Sequence, residues 1–138
     1  MDIKKMYIDG KWVEGTLGKT IDIINPGTGE VFTKIYESSV EDVRTAIAAA
    51  KKSFYVTREW RDMDSQERGD IILKIADKIE EYADELAMLD TLDNGKPLRE
   101  SEGDIADGVH CFRYYAGLIK TPHGGCYNVN SDFGKMHS

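Results

Sequence analysis

The hydrophobic pattern of this chain changes period once, near Ser39, and that change limits the fold more than any other feature. Before it, Tyr7-Ile8 and Trp12-Val13 flank Asp9-Gly10, and Ile21, Ile23, Val31 and Ile35 alternate with polar neighbours around Asn25-Pro26-Gly27-Thr28-Gly29. Alternation puts successive side chains on opposite faces of a strand, and Asp-Gly accepts the positive backbone angles of a tight hairpin. A β-hairpin about Asp9-Gly10 and three or four short strands are therefore expected over residues 1–36. From Ser39 the spacing becomes helical.

Ser39 with Asp42 resembles a capping box, and Val43, Ile47, Ala50 and Phe54 follow at steps of four, three and four, which predicts a helix over about 40–54. Asp64 and Glu67 form a second cap pair. Behind them Ile72, Ile75, Ile79, Tyr82, Leu86 and Leu89 make one apolar stripe, ended by Asn94-Gly95 and Pro97, so one long helix is expected. Ile105, Val109, Phe112, Ala116 and Ile119 predict a third over about 98–119. After Pro122 the chain is rich in Gly, Asn and Ser, with Tyr127 and Val129 alternating as in a short strand. The expected class is α+β, with strands over 1–36 and helices over 39–119.

At 138 residues the chain suits one domain, and its net charge of −7 disfavours a nucleic-acid partner, which needs clustered Lys and Arg. No apolar run approaches the roughly 18 residues of a membrane helix. Met1 to Met6 lacks a signal-peptide core, and two cysteines, Cys111 and Cys126, make no disulfide framework, so a cytoplasmic, reduced protein is expected.

Several chemical readings fail on spacing. Gly15 to Thr20 has two residues, not four, between its first glycine and Gly-Lys-Thr, so it is not a phosphate loop. Gly27-Thr28-Gly29 leads into Glu30-Val31-Phe32, without the third glycine or the helix of a dinucleotide turn. His110, Cys111, His123 and Cys126 lack the four-ligand spacing of a closed zinc site. Cys111 lies mid-helix, away from a helix N-terminus that would activate a thiol.

Asp104 and Asp107 are more informative. At about 100° per residue, Asp107 falls near 300° from Asp104, whereas Ile105, Val109, Phe112 and Ala116 gather around 100°. The acidic side is not the core side. It is either a solvated polar face or a mouth whose negative potential attracts a cationic ligand.

Taken in order, Tyr7 to Val13, Ile24 to Val31, Trp60-Arg61, Glu67-Arg68, Thr91-Leu92-Asp93-Asn94-Gly95-Lys96-Pro97 and Phe112 to Gly117 resemble the N-terminal part of the NAD(P)-dependent aldehyde dehydrogenase superfamily. The resemblance implies the α/β fold of that family and a longer enzyme that oxidises an aldehyde to a carboxylic acid with NAD(P)+. In such an enzyme residues 1–138 form the N-terminal segment, and 122–138 begin the oligomerisation arm. The family's nucleophilic Cys, general-base Glu and glycine-rich cofactor turn have no counterpart here, so no catalytic residue is assigned. NAD(P)+ is not expected to bind this segment alone, which is expected to be inactive.

The resemblance also implies a Na+ or K+ site at the Ile24 carbonyl and Asp93, although Asp93 can equally close the turn after its helix. It further places Gly103, Asp104 and Asp107 on the substrate tunnel, as in the betaine-aldehyde and aminoaldehyde branch. The expected partners are a small aldehyde and further copies of the chain. The alternative is a noncatalytic truncated module acting in subunit association.

Overall fold

In the computed structural model, which describes residues 3–119 and Thr121, five strands precede the helices. The strands are β1 (Ile3–Lys4), β2 (Met6–Ile8), β3 (Lys11–Val13), β4 (Thr20–Ile24) and β5 (Val31–Tyr36). β2 and β3 form the expected antiparallel hairpin, Ile8 opposite Lys11, with Asp9 and Gly10 at φ 50° and 76°. β4 and β5 are antiparallel with an irregularity at Ile23/Ile24. β1, which the alternation did not reveal, pairs parallel with β5 and makes a three-stranded sheet of order β1-β5-β4.

α1 (Val40–Lys52) opens on the anticipated capping box. Asp42 Oδ2 accepts from the Ser39 N–H at 2.8 Å and the Ser39 Oγ donates to it at 2.9 Å, while Asp42 N–H donates back to Ser39 Oγ. The same carboxylate accepts from Thr16 N–H and Oγ1, at 3.1 and 3.0 Å, which ties the β3–β4 loop to the helix start. These donors, led by the Ser39 N–H, hold the Asp42 carboxyl below its usual range. Gly15, one residue earlier, lies so near β5 that a Cβ would stand 2.2 Å from the Glu37 carbonyl oxygen.

α1 relaxes into a π turn (Ser53–Thr57), and a short α2 (Glu59–Asp62) follows Arg58, whose φ of 59° is left-handed. The long second helix expected from the stripe is two helices, α3 (Ser65–Glu81) and α4 (Ala83–Asn94), broken at Tyr82 with φ −105° and ψ 18°. The stripe runs through the break because Leu86 N–H still bonds the Tyr82 carbonyl at 2.9 Å. Asp84 and Glu85 meanwhile supply the negative charge that favours a new N-terminus. At α3 the cap is Asp64, whose Oδ1 accepts from Gln66 N–H at 2.7 Å.

α5 (Leu98–Leu118) packs on α3 and α4. The most buried apolar residues are small, Ala76, Ala87, Val109 and Ala116, with Ser101 fully buried among them. The larger members of the expected stripes are left open: Ile47, Phe54, Ile75, Tyr82, Leu89 and Phe112 are all exposed, because no described element covers them. No helix among the described residues is long and apolar enough to cross a membrane. The alternation expected at Tyr127 and Val129 lies outside the described residues.

Candidate functional site

The joint between α4 and α5 is assembled from short-range hydrogen bonds. Gly95 ends α4 in the left-handed region, φ 80°, with its N–H on the Thr91 carbonyl at 2.9 Å. Asn94 Oδ1 accepts from Lys96 N–H, and its Nδ2 donates to Asp90 Oδ1, each at 2.8 Å. Buried Ser101 on α5 shares a 2.9 Å hydroxyl hydrogen bond with Thr91 on α4. Lys96 then spans the two helices, its Nζ paired with Asp90 and Asp104. Both carboxylates, Asp104 first, hold the ammonium above its usual pKa, and the Lys96 hydrogen bond holds Asp90 below its own.

Past this joint, α5 presents the side on which the sequence placed two acids. Ser101, Val109 and Ala116 are buried on the packed side, while Gly103, Asp104 and Asp107 are exposed. A Cβ on Gly103 would meet nothing within 4 Å. The two acids differ: Asp104 is engaged by Lys96, whereas Asp107 has no partner among the described residues. Such a strip can attract a cation by its field, and Gly103 leaves room beside it.

The structure brings the two segments proposed for the cation close together. Pro26, two residues after Ile24, lies so near Gly95, two residues after Asp93, that a Cβ on Gly95 would stand 2.7 Å from Pro26 Cγ. Asp93 shares a cleft of about 590 Å³ with Ile23, Phe32, Thr33, Leu89 and Asp90. Among the described residues no three His, Cys, Asp or Glu side chains gather to hold a metal. Cys111 is exposed on α5, and His123 and Cys126 lie outside the described residues.

Two interactions had no periodic signature in the sequence. Lys96 lies in the turn ahead of α5, so helical spacing does not set it beside Asp104. Arg113, from the Phe112–Gly117 motif, reaches from α5 to Asp77 at 3.0 Å and Glu80 at 2.6 Å on α3. Its hydrogen bond holds Glu80 below the usual carboxylate range.

DhaS of Bacillus subtilis is 48% identical to this chain over 115 residues, covering 83% of the chain and 23% of DhaS. The aldehyde dehydrogenase of Aspergillus niger is 39% identical over 127 residues, 92% of this chain and 25% of its own length. The crystal structure of betaine aldehyde dehydrogenase from Staphylococcus aureus in complex with NAD+ superposes with a TM-score of 0.90 at 39% identity, over 97% of this chain and 26% of that one. The chain thus spans about a quarter of the length of the relatives it matches, and its fold corresponds to the N-terminal part of theirs. Residues 12–137 match the aldehyde dehydrogenase family, and the chain belongs to that family.

Proposed function

We propose that residues 1–138 are the N-terminal part of an NAD(P)+-dependent enzyme that oxidises an aldehyde to a carboxylic acid in the cytoplasm, and that α5 forms one wall of its substrate entrance. The family match over residues 12–137 carries the oxidation, and the open strip of Gly103, Asp104 and Asp107 opposite the packed side of α5 supports the entrance. Negative potential there draws in aldehydes bearing an ammonium or trimethylammonium group. This chain's residues supply the field and the room.

Aldehyde oxidation also needs a nucleophile, donors for the developing oxyanion and a hydride acceptor. NAD(P)+ supplies the acceptor when bound. The segment has no dinucleotide turn to cradle it, so cofactor and chemistry belong to the remaining polypeptide, and the segment alone is inactive. The Ile24 carbonyl and the Asp93 carboxylate are hard oxygen donors suited to Na+ or K+, on two turns that meet at Pro26 and Gly95.

The test follows NADH formation from a trimethylammonio-aldehyde. The 138-residue chain is expected to give none, and the complete polypeptide is expected to turn over, with Asp107→Asn raising KM for the cationic aldehyde. Turnover by the short chain refutes the placing of the chemistry elsewhere. An unchanged KM refutes the entrance.

The open apolar surface of Val43, Ile47, Phe54, Tyr55, Val56 and Trp60 also supports subunit association, whether in a homo-oligomeric enzyme or in a noncatalytic module. Sedimentation of the purified chain tests it, since a strictly monomeric species excludes self-association.

A further inference from the structure

We infer that Lys96 sets the charge selectivity of the α5 wall by holding Asp104 out of substrate binding, which leaves Asp107 as the acid that meets a cationic aldehyde. This rests on the entrance reading above and adds a division of labour between two carboxylates that spacing alone makes equivalent.

The two acids sit one turn apart and share exposure, yet their surroundings differ. Asp104 Oδ2 is paired with Lys96 Nζ, which the Asn94 side chain positions by accepting from the Lys96 N–H. Asp90, the other carboxylate on that ammonium, is also met by Asn94 Nδ2 and by the Ser101 hydroxyl. Asp90 thus has donors besides Lys96, while the one ammonium is shared between Asp90 and Asp104. The Lys96 side chain is 27% exposed, against 64% for Asp104, so the lysine is the more enclosed member of the pair and sits at the α4–α5 joint. Asp107 faces solvent with no cation from any described element beside it. An arriving ammonium therefore meets one acid that shares a lysine and one acid with no ion pair among the described residues. Lys96 is a positioning residue, acting through Asp104 without touching the substrate.

The test uses the complete enzyme that carries these residues and compares KM for a trimethylammonio-aldehyde with KM for a neutral aldehyde of the same length. A carboxylate about 7 Å from the cation, in a wet cleft of effective dielectric about 50, changes affinity roughly fivefold. Asp107→Asn is expected to lower the preference for the cationic substrate roughly fivefold, and Asp104→Asn to move it less than about twofold. Lys96→Met, which releases Asp104, is expected to raise the preference by a similar factor with kcat unchanged, and Lys96→Arg to leave it as it was. If Asp104→Asn lowers the preference as much as Asp107→Asn, or Lys96→Met shifts both KM values alike, the division of labour is wrong while the entrance stands. If Asp107→Asn changes neither KM, the entrance itself falls. Asp104→Asn removes no buried group, so the comparison survives should Lys96→Met fail to fold.

Discussion

Replacing Gly95 by alanine is expected to destabilise the chain by about 2 kcal/mol, from two separable causes. The first is conformational: φ is 80° here, where an L side chain costs about 1–2 kcal/mol. The second is steric. The new Cβ would stand 2.7 Å from Pro26 Cγ, whereas ordinary contact begins at 3.4 Å, so the ring or the helix end must retreat. Pro26 cannot move alone, because its turn is held by Gly29 N–H on the Asn25 carbonyl at 2.8 Å and Gly27 N–H on Asn25 Oδ1 at 2.8 Å. Both partners are on the surface, so the lower end of the overpacking range applies, about 1 kcal/mol. Alanine's smaller unfolded-state entropy returns about 0.4–1 kcal/mol. Urea unfolding of the full chain, followed by far-UV circular dichroism at constant m-value, gives the total. A double-mutant cycle with Pro26→Ala separates the causes: removing the ring cancels the steric part, so the pair should be less damaging than the sum by about 1 kcal/mol. Strict additivity, or a Gly95→Ala midpoint equal to wild type, refutes contact between these turns.

Three further perturbations read other parts of the fold. Asp42 has its pKa lowered by folding, so it stabilises the native state above the ordinary value of 3.8, and that contribution is lost as pH falls below it; Asp42→Asn should flatten the acid side of a stability-versus-pH curve, and an unaltered curve counts against the Thr16–Ser39–Asp42 node. Ala116 has no exposed surface, so Ala116→Leu overpacks α5 and should cost about 1–3 kcal/mol in urea unfolding; no loss means α5 is not seated there. Arg113→Gln should remove the bonds to Asp77 and Glu80, and with them part of the salt dependence of the thermal midpoint; equal salt dependence in both proteins rules out that ion pairing in solution.

Local chemistry was legible where one residue type answers one backbone demand. Asp9-Gly10, Ser39 with Asp42, and Gly95 each appear where the sequence placed them, because positive φ and unpaired helix N–H groups are needs that few residues meet. The acidic side of α5 was legible for the same reason: helical spacing fixes direction. What spacing cannot show is where a long side chain ends. Lys96 links two helices, and Arg113 reaches from α5 to α3, through flexible stems whose direction is chosen by tertiary packing. The break at Tyr82 was hidden because the stripe continues across it, and a hydrophobic period registers a face without registering the ladder beneath. Phe112, grouped by spacing with the core side of α5, is exposed, and Ile75, Tyr82 and Leu89 of the long stripe are exposed too, since an apolar stripe specifies that a face seeks cover and not which element provides it.

The parallel seam between β1 and β5 bears on the order of assembly. Ile3 and Lys4 come about thirty residues ahead of the strand they dock on, around Lys34 and Ile35, so they are made before their partner. In the interval β2 and β3 can close on each other through neighbours in sequence, while the leading strand waits for a long loop to shut. A disturbance confined to β1 therefore weakens the three-stranded sheet and spares the hairpin that follows it.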